Sequence, residues 1–505
     1  MPDLLKLQNG SDIRGTALAV DGGKSVDLTD EAARQIGAAF AGWLCGRLGK
    51  SPASLRIAVG RDSRVTGAAL TQELARGICA CGARAADFGL ATTPAMFMAC
   101  VTEGFMYDGA VMITASHLPY ERNGFKFFTA SGGLDKKDIT AILEDAKGLA
   151  VRADAPCAMQ QTDFMQCYAS ILRQRIIDGT GLGPTPLRGL HIIVDAGNGA
   201  GGFFVRDVLG PLGANTQGSL FLEPDGMFPN HAPNPEDERA MGFIMRSVES
   251  SHADLGIIFD TDVDRAGAVL SDGRELNRNR LIAMIAAIEL RDHPGTTIVT
   301  DSITSTGLAR FIADAGGIHR RFKRGYRNVI NEAARLNREG QSAEVAMETS
   351  GHGALRENYF LDDGAYLMVK LIIELARASR TGRSLSSLIE GLAEPVESRE
   401  YRMGLSGEDF AQYGSEVLRA VSEWADSASG FTTAPDNFEG VRVNADAGHG
   451  DGWFLLRMSL HDPLMPLNIE SDSEGGLAKI ASAVYPLLSR FDRLDTDQLK
   501  ADAGK

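Results

Sequence analysis

A short polar loop after an apolar run carries residues that could do chemistry on a phosphate. Residues 110–113 have the composition of a strand, and Thr114-Ala115-Ser116-His117 follows, with Lys126 close behind. A serine hydroxyl beside a cation is suited to accept a phosphoryl group, because the cation offsets the charge of the phosphate. The same Thr/Ser pair could instead cap a helix or a turn. The loop by itself leaves both interpretations open.

A second loop carries three alternating carboxylates, Asp260, Asp262 and Asp264, directly after the apolar residues 255–259. Alternating carboxylates in a loop converge on one point, and hard oxygen ligands of this kind suit Mg²⁺. Without a cation the three charges would repel one another. We therefore predict a magnesium site. Arg265 would counter a phosphate or a metal-bound carboxylate, or else form a surface ion pair of little energetic consequence.

A third loop, Glu348-Thr349-Ser350-Gly351-His352, follows the predicted strand 344–347. A carboxylate and a hydroxyl two residues apart suit the adjacent hydroxyls of a sugar, although a capping arrangement is equally compatible. Arg457 and Ser459 lie at another predicted strand end and could bind a phosphate through a guanidinium fork and a hydroxyl.

Residues 197–202 spell GxGxxG, with Glu223 about 20 residues on, which is formally a dinucleotide-binding fingerprint. The chain contains 57 glycines, and no second nucleotide-binding half accompanies the motif. We favour a tight turn that lets a helix and a strand pack closely.

The elements that must position these loops repeat along the chain. Residues 55–62, 190–195 and 296–301 each run from β-branched residues into a polar turn, and a predicted helix follows each. Later strands end in the three polar loops. Because ligands bind at the carboxyl ends of parallel strands, we predict three similar mixed α/β domains that present their loops to a site.

The C-terminal part has a different pattern. A predicted helix at 406–427 precedes short strands at 440–443 and 452–459 and a helix at 475–490, which indicates a smaller α+β domain. We place the domains at residues 1–165, 166–279, 280–390 and 391–505. The tail from 496 to 505 is expected to fray.

Composition excludes several functional classes. The 505-residue chain carries a net charge of −15, which argues against nucleic acid and anionic membranes as partners. The N-terminus has no apolar segment typical of a signal peptide, and the apolar run 281–290 is too short to span a bilayer, so it predicts a buried helix. We expect a cytoplasmic protein in which all six cysteines are reduced thiols.

Taken together, the loops resemble the α-D-phosphohexomutase family, which includes phosphomannomutases, phosphoglucomutases and phosphoglucosamine mutases. The resemblance covers almost the whole chain. Beside the three polar loops, its motifs are Asp12-Ile13-Arg14-Gly15, Val59-Gly60-Arg61-Asp62-Ser63-Arg64, Asn123-Gly124-Phe125-Lys126, Val194-Asp195-Ala196-Gly197-Asn198-Gly199 and Pro224-Asp225-Gly226-Met227-Phe228-Pro229-Asn230-His231.

The resemblance implies four domains around a central active-site cleft and an isomerase that interconverts hexose 1-phosphate and hexose 6-phosphate, with glucose or mannose as the sugar. Ser116 would be the phosphorylated nucleophile, and Asp260, Asp262 and Asp264 would hold Mg²⁺ against it. A hexose 1,6-bisphosphate would be the intermediate and activator. The only partner implied is the phosphosugar, bound by a monomer or a homodimer.

The resemblance also assigns roles to the remaining residues. Arg14 and Lys126 would act as acid/base or charge-stabilising groups, supported by His117. The substrate would be bound by Arg265, Glu348, Ser350, His352, Arg457 and Ser459.

Four departures from the family pattern affect this interpretation. Thr261 and Val263 replace the two glycines of DGDGDR. A DxK motif becomes Asp301-Ser302-Ile303, in which Ile303 replaces the lysine and a cation is lost. Gly325-Tyr326 replaces a Gly-His pair of the family. The positive charges of Lys323 and Arg324 could substitute for that of the missing histidine. The phosphate loop RxSNTEP becomes residues 457–463, in which His461 could assist. If this loop holds the intermediate poorly, the alternatives are a hexose-bisphosphate synthase or phosphatase, or a sugar-phosphate-binding protein with little catalysis.

Overall fold

The computed structural model describes residues 3–407, 409–459 and 462–504. These residues form two compact units. The first runs to Leu281 and also contains Ser350–Ser387, whereas the second contains Ile282–Thr349 and the chain from Leu388 onward.

The first domain is built on an eight-stranded sheet. Its elements in chain order are β1 Gln8–Asn9, β2 Asp12–Thr16, α1 Asp30–Leu48, β3 Arg56–Arg61, α2 Gly67–Ala80, β4 Arg84–Leu90, α3 Thr93–Val101, β5 Gly109–Ile113, β6 Arg122–Thr129, β7 Gly132–Gly133, α4 Lys136–Ala146 and β8 Gln160–Gln161. The order is β1-β2-β6-β5-β3-β4-β8, with β7 beside β6. Because β3, β4 and β5 are parallel, their carboxyl ends share one edge.

The second domain has a four-stranded sheet. Its elements are α5 Phe164–Thr180, β9 Ile192–Asp195, a π-helix Phe204–Leu209, α6 Glu238–Ser251, β10 Leu255–Phe259, β11 Ala266–Leu270 and β12 Glu275–Leu276. The strands β9 and β10 are parallel, and β10 and β11 form an antiparallel hairpin whose turn contains the three aspartates.

The chain enters the second unit within the next helix. The elements there are α7 Arg278–Asp292, β13 Thr297–Thr300, α8 Thr306–Asp314, β14 Ile318–Arg321, α9 Tyr326–Arg338 and β15 Ala343–Met347. Strand β13 pairs in parallel with both β14 and β15. The predicted buried helix in this region is confirmed as α7.

The chain then returns to the first unit as β16 Gly353–Leu355, β17 Leu361–Asp362 and α10 Gly364–Arg380. This segment packs on the aspartate turn. His352 forms an isolated antiparallel bridge with Arg265, and the backbone N–H of Gly364 donates to the carbonyl of Val263 at 3.1 Å.

The last domain contains β18 Glu397–Gly404, α11 Phe410–Ala425, β19 Phe431–Thr433, β20 Val441–Ala445, β21 Gly452–Leu456, β22 Leu464–Ser471, α12 Gly476–Leu488 and α13 Asp497–Asp502. Its antiparallel sheet has the order β18-β22-β21-β20-β19. The sequence did not predict β18 and β22. The expected fraying of the tail is wrong for the described residues, because α13 buries Leu499 in the core of this domain.

The predicted fold class, three mixed α/β domains and a smaller C-terminal α+β domain, is confirmed.

The expectation of six reduced cysteines is wrong, because Cys79 and Cys157 form a disulfide with a Cα–Cα distance of 5.5 Å. Their positions on α2 and in the segment after α4 lie far apart in sequence, so only the fold brings them together.

Within the described part of the chain, no helix combines the length and the apolar character needed to cross a membrane.

Candidate active site

Ser116 follows β5 and is buried, with a left-handed backbone φ of 53°. Its hydroxyl donates to Asp260 Oδ2 at 3.1 Å and accepts from Arg265 Nη2 at 3.2 Å. The sheet register sets Lys126 of β6 opposite Met112 of β5. Strand pairing in the first domain therefore brings Lys126 near the serine, and the aspartate turn of the second domain supplies Asp260 and Arg265.

The three aspartates are completely or almost completely buried. One carboxylate oxygen from each lies within 4.8 Å of the others. Oδ1 of Asp262 and Oδ1 of Asp264 are buried without a hydrogen-bond partner among the described residues. Burial, together with the charges of Asp264 and Asp262, raises the pKa of Asp260 well above its ordinary value. Three converging carboxylates with unused oxygens fit a divalent cation.

Two cations partly neutralise this triad. Lys126 Nζ forms ion pairs with Asp264 and, at 3.2 Å, with Asp262. Arg265 is 2% exposed, and its Nε lies 3.2 Å from Asp260 Oδ2. The alternative of a surface ion pair for Arg265 is therefore wrong. Arg14 forms an ion pair with Asp12 at 3.0 Å and donates to the carbonyl of Ala115 at 3.4 Å. Arg14 therefore contacts residues 114–122, which we call the serine loop.

Two histidines of the predicted site differ in charge. His117 Nδ1 lies 3.3 Å from Ser116 Oγ and accepts from Arg265 Nη2 at 2.6 Å. Burial and the nearby charges of Arg265 and Arg14 lower the pKa of His117 to about 2, so its ring is neutral. Burial alone would lower the pKa of His352, but Asp362 and Asp264 outweigh it and raise that pKa to about 9.

Val263 occupies a backbone conformation that favours glycine. Its φ is +66°, and its side chain is completely buried. A β-branched residue in the left-handed region costs roughly 1–3 kcal/mol. Thr261 has no such φ, so only the second replaced glycine strains the aspartate turn.

The GxGxxG segment packs against this turn. A Cβ on Gly199 would lie 2.6 Å from the carbonyl oxygen of Thr261, and one on Gly202 would lie 2.3 Å from that of Leu222. The predicted tight turn is confirmed, and its close contacts are with the aspartate turn and Leu222 rather than between a helix and a strand.

In the second unit, Glu348 follows β15 and accepts from the backbone N–H of Gly325 at 2.6 Å. Thr349 Oγ1 donates to Asp301 Oδ2 at 2.8 Å. In the first unit, Ser350 Oγ is buried and has no hydrogen-bond partner among the described residues. In the third loop, the carboxylate of Glu348 thus already accepts a hydrogen bond, whereas the hydroxyl of Ser350 has no partner among the described residues.

Arg457 follows β21 and is 6% exposed, and its Nε has no hydrogen-bond partner in the described ranges. Burial and the nearby charge of Arg324 lower the pKa of Arg457. Arg324 Nε lies 3.5 Å from Asp301 Oδ2. The two guanidinium groups of Arg324 and Arg457 lie near the two carboxylates of Asp301 and Glu439, so their formal charges balance. The buried Arg457 Nε, which has no hydrogen-bond partner among the described residues, is the group that suits a phosphate. We call Asp301, Arg324, Glu439 and Arg457 the Arg457 cluster.

Ser302, which lies between Asp301 and the position of the missing lysine, contacts the Arg457 cluster. Its hydroxyl donates to Glu439 Oε2 at 2.6 Å, and the same oxygen accepts from the backbone N–H of Arg324 at 3.0 Å. Ser459 Oγ accepts from the backbone N–H of Asp462 at 3.3 Å. His461 lies outside the described residues.

Sequence reasoning missed several residues that contact the predicted site. Asp362 pairs with His352 at 2.5 Å. Thr93 donates its backbone N–H to the carbonyl of Asp262 at 2.9 Å and its hydroxyl to the carboxylate of Asp262. No local sequence pattern marks Glu439 as a site residue. The acidic pair Asp362-Asp363 before an apolar helix is a pattern from which Asp362 could have been predicted.

Comparison with known proteins reveals matches over most of the chain. Residues 5–149, 176–273 and 277–396 match the models of phosphoglucomutase/phosphomannomutase alpha/beta/alpha domains I, II and III. A phosphoglucomutase of Neisseria gonorrhoeae is 31% identical over 473 residues, which cover 93% of this chain and 94% of that protein. A phosphomannomutase/phosphoglucomutase of Pseudomonas syringae pv. tomato is 30% identical, covering 86% and 87% of the two chains.

A solved structure supports the same relationship. A phosphoglucomutase/phosphomannomutase family protein from Burkholderia thailandensis matches with a TM-score of 0.77 and 28% identity, covering 95% of this chain and 96% of that chain.

Proposed function

Because the chain belongs to the phosphoglucomutase/phosphomannomutase family, we propose that it is a hexose-phosphate mutase that works through a phosphorylated Ser116. The enzyme is an isomerase that converts a hexose 1-phosphate into the 6-phosphate. Glucose and mannose are the proposed sugars, because both appear in the names of its relatives.

The observation that carries the proposal is the position of the Ser116 hydroxyl. It lies 3.1 Å from a carboxylate of the aspartate triad and 3.2 Å from the guanidinium of Arg265. Phosphoryl transfer depends mainly on positioning and on neutralisation of charge. A hydroxyl held between a cation site and an arginine meets both requirements.

The proposed reaction has two balanced steps. In the first, the sugar 6-hydroxyl attacks the phosphorus on Ser116, the bond from Oγ to phosphorus breaks, and the proton lost by the sugar is balanced by the proton regained at Oγ. In the second, Ser116 Oγ loses its proton and attacks the phosphorus of the 1-phosphate, the bond from sugar O1 to phosphorus breaks, O1 takes up a proton, and the hexose 6-phosphate is released. Lys126 and Arg14 supply positive charge or transfer these protons, and neutral His117 supports Ser116.

Asp260, Asp262 and Asp264 would hold Mg²⁺, which would neutralise phosphate charge when bound. Arg265 orients the serine hydroxyl, and His352 contributes a further positive charge beside the triad. Glu348 and Ser350 are proposed to bind sugar hydroxyls, and Arg457 and Ser459 to bind the phosphate that does not react. Arg324 supplies positive charge near Arg457 that Ile303, in place of the motif's lysine, does not.

Phosphorus NMR of the purified protein tests the proposal. The protein is given Mg²⁺, a trace of glucose 1,6-bisphosphate, and either glucose 1-phosphate, mannose 1-phosphate or glucosamine 1-phosphate. A 6-phosphate should form from at least one sugar. Ser116→Ala should abolish turnover, because the nucleophile is removed, whereas Ser250→Ala, at an exposed position of α6, should not change it.

Other outcomes would replace the proposal. Free phosphate or accumulating bisphosphate would indicate a phosphatase or a bisphosphate synthase. Full activity of Ser116→Ala would remove the proposed nucleophile. No reaction with any sugar, in protein shown to be folded, would favour a role in binding.

A further inference from the structure

Arg64 is a buried arginine that the proposed reaction does not use. It lies between β3 and α2, and its side chain is completely buried. Its Nη1 donates to the carbonyls of Pro119 at 2.7 Å and Arg122 at 2.9 Å. Its Nη2 donates to the carbonyls of Leu118, at 2.6 Å, and Ser116. One guanidinium therefore binds four carbonyls of the serine loop.

Contacts with Asp62, Phe228 and the backbone around Gly226 hold Arg64 in place. Asp62 forms an ion pair with Arg64 Nε at 3.3 Å and accepts from the Arg64 backbone N–H at 3.0 Å. Arg64 Cζ lies 5.1 Å from the centre of the Phe228 ring. A Cβ on Gly226 would lie 2.4 Å from the carbonyl oxygen of Ser63, so only glycine permits this approach. Part of the motif at residues 224–231 thus packs against the arginine.

The backbone conformation of Ser116 must be maintained by surrounding contacts. Its φ of +53° is uncommon for a residue other than glycine, and surrounding contacts must maintain that conformation. Its carbonyl is bound by Arg64, and its backbone N–H donates to Thr114 Oγ1 at 2.9 Å. With both backbone groups fixed, the hydroxyl points to Asp260 and Arg265.

We propose that Arg64 is a positioning residue that holds Ser116 in the left-handed conformation in which its hydroxyl reaches Asp260 and Arg265. Asp62, Gly226 and Phe228 hold Arg64 in turn. The expected effect of Arg64 on turnover rests on the proposed function. Its effect on the conformation of the serine loop can be measured without any substrate.

The test compares Arg64→Met and Arg64→Lys with Arg84→Met, a matched change at an exposed position of β4. For Arg64→Met, kcat should fall on the order of 100-fold with KM within about threefold of wild type, because the loop is misplaced while substrate contacts remain. Arg64→Lys should recover only part of kcat, since an ammonium lacks the planar fork. Arg84→Met should behave as wild type.

Hydrogen exchange of the substrate-free proteins provides the second measurement. Amides in residues 114–122 should exchange at least about tenfold faster in Arg64→Met than in wild type or Arg84→Met, because Arg64 supports the loop's own hydrogen bonds. Unchanged exchange there, or unchanged kcat in folded Arg64→Met, would overturn the proposal. If Arg64→Met does not fold, Arg64→Lys decides by the same two measurements. An inactive wild type would refute the proposed function, and the exchange result would still decide whether Arg64 holds the loop.

Discussion

The charges around Ser116 do not balance without a cation. Asp260, Asp262, Asp264 and Asp362 contribute four buried negative charges, and Lys126, Arg265 and protonated His352 contribute three positive ones. Since an unpaired buried charge costs several kcal/mol, the remaining negative charge favours protonation of Asp260 or binding of a cation. A bound divalent ion would make this group of residues positive, and a positive site suits a phosphate.

The first prediction concerns that cation. Asp262→Asn should weaken Mg²⁺ binding by at least about 10-fold, because even contacts outside the ligand set change metal affinity by about 10- to 100-fold. Isothermal titration calorimetry with Mg²⁺ measures the change without any sugar. Asp272→Asn, at an exposed acid of the same domain, is the control. Equal affinity of Asp262→Asn and wild type would contradict a metal site here.

The second prediction concerns Arg457. Arg457→Met should raise KM for the hexose 1-phosphate by roughly 10- to 150-fold, because hydrogen bonds to a charged group contribute about 1.5–3 kcal/mol. Steady-state kinetics measure this effect, with Arg402→Met on β18 as an exposed control. An unchanged KM would show that the buried guanidinium does not bind substrate phosphate.

At the level of elements, a buried ion pair fixes the loop before α6 to the end of β9. His231 Nε2 lies 3.1 Å from both carboxylate oxygens of Asp195, and its Nδ1 lies 2.8 Å from the carbonyl of Ala232. Both nitrogens face acceptors, so the geometry favours the protonated ring. The same loop carries Asn234, whose side-chain oxygen accepts from Arg265 at 3.2 Å.

The third prediction follows from this pair. Burial acts to lower the pKa of His231, but Asp195 outweighs it, so the pKa is raised above its ordinary value of about 6.5. The stabilisation is therefore fully present below about pH 6.5 and is lost as pH rises through the raised pKa. His231→Gln should cost about 3–5 kcal/mol at pH 6, because it leaves a buried carboxylate unpaired, and the difference from wild type should shrink toward pH 9.

Native-state hydrogen exchange of residues 225–236 between pH 6 and 9 measures this dependence locally. His293→Gln, at an exposed position after α7, is the control and should change little. If the difference in opening free energy between wild type and His231→Gln stays constant with pH, a charged His231 is excluded.

At the level of the whole molecule, the path of the chain differs from a simple series of domains. Ser350–Ser387 belongs to the first compact unit although it follows residues of the second. The third polar loop is where the chain changes unit, so Glu348 and Ser350 belong to different units. The helix α13 packs into the core of the last domain rather than fraying.

The fourth prediction tests that ending. Leu499→Ala should destabilise the C-terminal domain by about 2–5 kcal/mol, the usual effect of removing a fully buried leucine side chain. Urea unfolding followed by tryptophan fluorescence reports it, because Trp424 and Trp453 lie in this domain. Leu48→Ala, at an exposed leucine in the last turn of α1, should cost about 0.5 kcal/mol or less. Equal stability of Leu499→Ala and wild type would show that α13 is not part of the core.

The sequence alone determined the three α/β domains, the strands that end at Ser116 and Asp260, and the family resemblance, because apolar strands and the polar turns after them are local patterns. It did not predict β18 and β22. Only the tertiary structure decided that Arg64 binds four carbonyls, that Asp362 pairs with His352, that Ser302 binds Glu439 and that Val263 takes a left-handed conformation. These features depend on burial and on charge compensation between residues distant in sequence, and no local pattern specifies which distant partner a buried group will meet.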